Sequence, residues 1–172
     1  MHDLGQSSLF RPYADPHSGV TSYVLSKRVA PVQKGNYFVN RSISHDGRYL
    51  WFQCAFPPSM AVSLAVADLE AGTVTHCPET AGTHSFLIDP DTGGVFFPMR
   101  MGVWYRGPKP DDEAVHVNSL PSDLTRGRSG RVASHLTLTA DGRGFFVDCR
   151  LGEACYIGVL PKDGSPFEHW RS

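Results

Sequence analysis

The groups in this sequence best suited to chemistry are imidazoles set among guanidiniums. His135 follows a stretch carrying Arg126, Arg128 and Arg131, while His84 precedes Arg100. Imidazole exchanges a proton near neutrality, its unperturbed pKa being about 6.5. Guanidinium presents a planar fork that holds both oxygens of a carboxylate. Tyr37, Asn40, Arg41, Tyr105 and Arg150 add further polar groups. Such a set could hold an anion and move a proton, provided the fold gathers it in one place.

A recurring unit offers that gathering. Ser42-Ile43-Ser44-His45-Asp46-Gly47-Arg48-Tyr49-Leu50-Trp51-Phe52 and Thr137-Leu138-Thr139-Ala140-Asp141-Gly142-Arg143-Gly144-Phe145-Phe146-Val147 share one grammar. Each is a short alternating strand, an Asp-Gly turn and an aromatic strand. Between them, Phe86 to Phe97 repeats the pattern around Asp91 and Gly93. The turn aspartates at 46, 91 and 141 are 45 and 50 residues apart, the length of one four-stranded propeller blade. Each hairpin is followed by a second pair of strands: 64–69 and 73–76, then 102–106 and 114–117, then 156–160 and 167–170. Period-two alternation dominates, and no long 3.6-residue period argues for helices.

The expected fold is therefore all-β, a partial β-propeller of about three four-stranded antiparallel blades. The blades fall at about 36–80, 81–121 and 132–172, after a lead-in strand and arm over 1–35. A single β-sandwich of about twelve strands suits the length, but gives no reason for a turn repeating at near-constant spacing.

Aligned on the turn aspartates, Asn40 and His135 occupy one position, six residues upstream of Asp46 and Asp141. In the middle unit Ser85 takes that position and His84 is its neighbour. These residues open the inner strands, with Tyr37 and Arg41 flanking the first. Arg100 and Arg150 fall in the loops between second and third strands, at the same end. Asp46, Asp91 and Asp141 read as caps of their own turns. Trp51, Phe52, Phe96, Phe97, Phe145 and Phe146 read as packing between blades.

Composition narrows the function classes. Hydrophobic residues make up 41% and charged residues 19%, a globular balance. The net charge of -1 argues against a globally basic nucleic-acid binder. No apolar run approaches membrane-spanning length. The opening MHDLGQSSLF lacks the basic end and apolar stretch of a secretory signal, so the expectation is a cytoplasmic protein, or a periplasmic or secreted one if the N-terminus is truncated. Cys54, Cys77, Cys149 and Cys155 have no CxxC spacing and read as thiols, a Cys149–Cys155 bridge remaining open for an oxidising compartment. No two histidines stand in HxH or HxxxH spacing, so no metal ligands are assigned.

Asn36-Tyr37-Phe38-Val39-Asn40, with Ser44-His45-Asp46-Gly47-Arg48 and Leu50-Trp51-Phe52, resembles the opening blades of the oligogalacturonate lyases, a polysaccharide lyase family of seven-bladed propellers. Asp15-Pro16-His17-Ser18-Gly19-Val20 resembles the lead-in to their first blade. Ulvan lyases and Tol-type propellers have similar blade grammar. Seven blades need about 300 residues or more, so the resemblance covers only the first three or so.

The resemblance implies a carbon–oxygen lyase that cleaves acidic oligosaccharides of the oligogalacturonate type by β-elimination, as in pectin degradation. It makes His135 the candidate base, His84 the second, and Tyr37 or Tyr105 the acid. Asn40, Arg41, Arg100, Arg128 and Arg150 become candidates for binding the uronate substrate. The family also implies a divalent metal, manganese or calcium, but no segment here matches its metal-binding histidine cluster, and no cofactor is evident from this chain alone. The expected partner is an acidic oligosaccharide, with self-association through open blade edges, and neither nucleic acid nor membrane. Two rivals stay open: a non-catalytic propeller module binding a protein or glycan through its loop face, and an inactive fragment.

Overall fold

The structure, a computed structural model, describes residues 3–171. Met1 and Ser172, which bound the lead-in and the third blade as read from the sequence, lie outside the described residues. A two-stranded hairpin, β1 (Phe10–Ala14) and β2 (Thr21–Leu25), comes first. Three antiparallel sheets follow in chain order. The first runs β3 (Val32–Lys34), β4 (Tyr49–Ala55), β5 (Val62–Asp68), β6 (Thr73–Cys77). Its innermost strand thus lies within the stretch read as lead-in, and Ile43 contributes only an isolated bridge to Leu50. The second runs β7 (Leu87–Ile88), β8 (Val95–Met99), β9 (Gly102–Arg106), β10 (Val115–Ser119).

In the third sheet two short pieces, β11 (Gly130–Arg131) and β12 (Thr137–Leu138), both pair with β13 (Gly144–Leu151). Then come β14 (Ala154–Pro161) and β15 (Glu168–Arg171). One short helix, α1 (Ser122–Thr125), joins the second sheet to the third. Among the described residues no helix is long and apolar enough to cross a membrane.

The sheets stack face to face, so strands of the first two are buried on both sides, and alternation decides which neighbour each side chain meets. From the first sheet, Tyr49, Trp51, Leu64 and Val66 pack against Phe86, Val95 and Phe97 of the second. The other face of the second sheet, Phe96 and Val103, packs against Phe145, Val147, Tyr156 and Leu160 of the third. Phe52, Cys54, Ala65 and Ala67, on the first sheet's far side, are covered by Leu4, Leu9, Phe10, Leu25 and Ala30. The N-terminal arm therefore caps a face that the repeat pattern alone leaves bare. Phe52 packs under this arm rather than between blades. Phe146 is turned to the outer face of the third sheet, where with Ile157 and Trp170 it remains exposed.

Turn chemistry repeats as the aspartates suggest, with one exchange. Asp46 accepts from the Ser44 hydroxyl and the Arg48 N–H, and Asp141 accepts from the Thr139 hydroxyl and the Arg143 N–H. In the middle turn the acid sits two residues earlier: Asp89, not Asp91, accepts from the Thr92 hydroxyl and from the Asp91 N–H. Gly93, at φ 72°, completes that turn, and a Cβ there would come within 2.9 Å of the Tyr49 ring. Its carbonyl accepts the Trp51 indole N–H at 2.9 Å, joining first and second blades.

Two outcomes follow from this packing. Trp51→Phe leaves a buried carbonyl without its donor and should lower stability by about 1–3 kcal/mol, read as a shifted urea midpoint. The Ser44 and Thr139 hydroxyls, then the following N–H groups, hold Asp46 and Asp141 below their ordinary 3.8. A depressed folded pKa gives stability that is complete above the unfolded value and lost as pH falls through the folded one. Asp46→Asn and Asp141→Asn should therefore flatten the loss of stability below about pH 4 in acid titrations.

Candidate functional site

The inner edges of the three sheets are tied together by side-chain amides. Asn36 donates from Nδ2 to the Phe86 carbonyl at 2.6 Å. Asn40 donates from Nδ2 to the Phe86 and Leu136 carbonyls, each at 3.2 Å. One side chain of the first blade thereby holds the inner segments of the second and third. The Tyr37 ring lies 5.1 Å from the His135 ring, centroid to centroid, and Gln53 donates to the His84 carbonyl at 2.8 Å.

Beside these ties a cavity of about 420 Å³ opens between the second and third blades, lined by His84, Arg100, Arg131, Ser134 and His135 among others. Arg100 and Met101 form the two-residue turn between β8 and β9, at φ 50° and 61°. This mirror-image turn suits hairpin twist but favours Asn-Gly. Placing side chains in the left-handed region costs about 1 kcal/mol per residue. Met101 packs against the core shared with the third blade, whereas Arg100 is exposed at the cavity. Among the described residues Arg100 has no ion-pair partner. Arg131 has a loose one, Asp148 at 3.4 Å. That carboxylate also accepts from the Ser134 N–H and hydroxyl, at 2.8 and 2.7 Å, which fixes the segment leading into His135.

The structure thus brings His135, His84 and Arg100 to one cavity, with Tyr37 against His135. Asn40 is at the same edge, but both its amide hydrogens are directed to backbone carbonyls, so it acts as a strut between blades. Arg41 is exposed beside it. The others do not line the cavity. Tyr105 bonds the Thr92 hydroxyl at 2.7 Å, in the Asp-Gly hairpin at the opposite end of its blade, and burial pushes its phenol pKa up. Arg128 reaches the Tyr156 hydroxyl at 3.3 Å. Arg150 turns back to the Gly152 carbonyl at 3.4 Å.

Sequence reasoning passed over Ser134 and Asp148, whose contact spans fourteen residues, and treated Arg131 only as part of a basic loop. It also missed Arg106, which is 2% exposed and bonds Glu79 at 2.7 Å and the carbonyls of the loop that follows it. No local pattern signals these pairs.

The four cysteines are free thiols. Cys149 faces Tyr156 and Cys155 faces Arg150 across the β13–β14 ladder, so the two point to opposite faces and no disulfide joins them. Burial pushes Cys54 up to about 11 and Cys77 up to about 12.

No family model matches this sequence, and no curated protein does. Solved structures do. An oligogalacturonate lyase in complex with manganese is similar at a TM-score of 0.69 and 16% identity, over 94% of this chain and 46% of that one. The oligogalacturonate lyase of Vibrio parahaemolyticus is similar at a TM-score of 0.69 and 14% identity, over 92% of this chain and 45% of that one. The chain has the fold of part of a β-propeller. It is a partial propeller of the form seen in oligogalacturonate lyases, and it spans less than half the length of these neighbours.

The manganese belongs to the neighbouring structure. Among the described residues no three His, Cys, Asp or Glu side chains gather where one ion could be held. The described residues thus supply no cluster of such ligands for a manganese or calcium ion.

The turn at Arg100 yields a prediction. Arg100→Gly relieves the left-handed strain and should raise stability by about 1 kcal/mol, measured by thermal or urea unfolding, while removing the unpaired cation from the cavity.

Proposed function

We propose that this partial propeller belongs to a protein that binds acidic oligosaccharides of the oligogalacturonate type and cleaves them by β-elimination. The observation that carries the reading is the cavity where Arg100, without an ion-pair partner, stands with Arg131, His84 and His135. The likeness to lyase structures supports it at the level of the fold.

In this reading the guanidiniums of Arg100 and Arg131 hold the uronate carboxylate. Their charge stabilises the negative charge that develops when the adjacent C–H is deprotonated. His135 takes that proton as general base, with His84 as the second candidate. The electron pair forms a carbon–carbon double bond as the bond to the leaving glycosidic oxygen breaks. That oxygen takes a proton from a donor, and Tyr37, whose ring lies against that of His135, is the candidate. Tyr105, at the far end of its blade, has no part in this step.

The exposed Phe38 and Val39 at the same edge favour a rival reading, a non-catalytic module that binds a protein or glycan through its loop face. Incubation with oligogalacturonate separates the two. The expected outcome is rising ultraviolet absorbance from the unsaturated product, lowered about 100-fold or more by His135→Ala, with Arg100→Ala raising KM. Binding by a folded sample without any absorbance rise supports the rival and overturns the catalytic reading.

A further inference from the structure

The inner-edge segment of the first blade breaks a local rule. The Asn40 N–H donates to the Tyr37 carbonyl at 2.9 Å, so residues 37–40 form a tight turn with Phe38 and Val39 at its tip. Such tips ordinarily carry Gly, Asn, Asp or Ser. Here Phe38 is 83% exposed and Val39 and Tyr37 each 55%. Burying a phenylalanine contributes about 1.5–3 kcal/mol, and this one contributes almost none of it.

The turn is held at both ends. The Asn36 N–H donates to the Ser42 hydroxyl at 2.7 Å, and the Asn36 and Asn40 amides reach across to the other two blades. The aromatic tip is therefore presented on a braced base. Its rings lead to His135, which lines the cavity: Phe38 lies 4.2 Å from Tyr37, and Tyr37 lies 5.1 Å from His135, centroid to centroid. A strip of three rings runs from solvent to the edge of the cationic cavity.

We infer that Phe38, with Tyr37, is an aromatic subsite for a sugar ring adjoining the uronate held in the cavity. This rests on the oligouronate reading of that cavity. A pyranose has one face rich in polarised C–H bonds, which suits the negative face of an aromatic ring and removes apolar surface of both from water. A cation clamp alone recognises a single carboxylate and does not distinguish monomer from oligomer. An aromatic surface beside it adds affinity only for a ligand long enough to cover both. The ligand class is thus an oligosaccharide with an acidic residue in the cavity and a neighbouring ring on Phe38.

The test is calorimetric titration of the wild type, Phe38→Ala and Arg100→Ala with galacturonate, trigalacturonate and the neutral galactotriose. The expected result is that Phe38→Ala weakens trigalacturonate about tenfold and leaves galacturonate unchanged, whereas Arg100→Ala weakens both. An exposed turn tip should leave the Phe38→Ala melting temperature at the wild-type value. Equal wild-type affinity for monomer and trimer, or no effect of Phe38→Ala on the trimer, overturns the subsite while the cationic cavity stands. Binding of galactotriose that depends on Phe38 and not on Arg100 supports the subsite and sinks the acidic-substrate reading. A melting temperature several degrees lower in Phe38→Ala assigns the ring to packing and overturns the inference.

Discussion

Two carboxamides at the inner edge of the first blade satisfy backbone carbonyls in the blades beside it. Asn36 and Asn40 both donate to Phe86, and Asn40 also reaches Leu136. A carbonyl left without a donor away from water costs free energy comparable to a lost hydrogen bond, so these contacts fix how the inner segments lie against one another. His135 immediately precedes Leu136, and His84 stands two residues before Phe86. The placement of both imidazoles therefore depends on amides that come from the loop between β3 and β4 of the first blade.

The stacking of sheets supplies the rest of the frame. Trp51, Phe97 and Phe145 are each wholly buried between blades, and alternation sends every second side chain to the opposite neighbour. Among the described residues the stack has two outer faces. The arm over residues 4–30 covers one of them through Leu9, Leu25 and Ala30. The other keeps Phe146, Ile157 and Trp170 in solvent. The two ends are thus physically unlike, although the blades repeat.

The cavity between the second and third blades concentrates unfavourable features that the surrounding structure sustains. Arg100 is held in a left-handed turn by the β8–β9 ladder and by the burial of Met101 behind it. Asp148 orders the strand entry through Ser134 and only loosely engages Arg131. Strain of this sort gathers where a site must hold groups in place before a ligand arrives.

Much of the fold was legible in the chain itself. The spacing of the Asp-Gly turns and the alternating aromatic strands depend on neighbours a few residues apart, and they determine that the protein is built from repeated antiparallel units. The shared alignment of Asn40 and His135 on the turn aspartates likewise places both at one edge. Only the tertiary structure decided that Asn40 uses its amide as a strut, that Asp89 replaces Asp91 as the acceptor in its turn, that Tyr105 belongs to the far end, and that the arm closes one face. Each of these depends on a partner brought close by stacking or by turn length, and local sequence carries no term for contacts made across forty to a hundred residues.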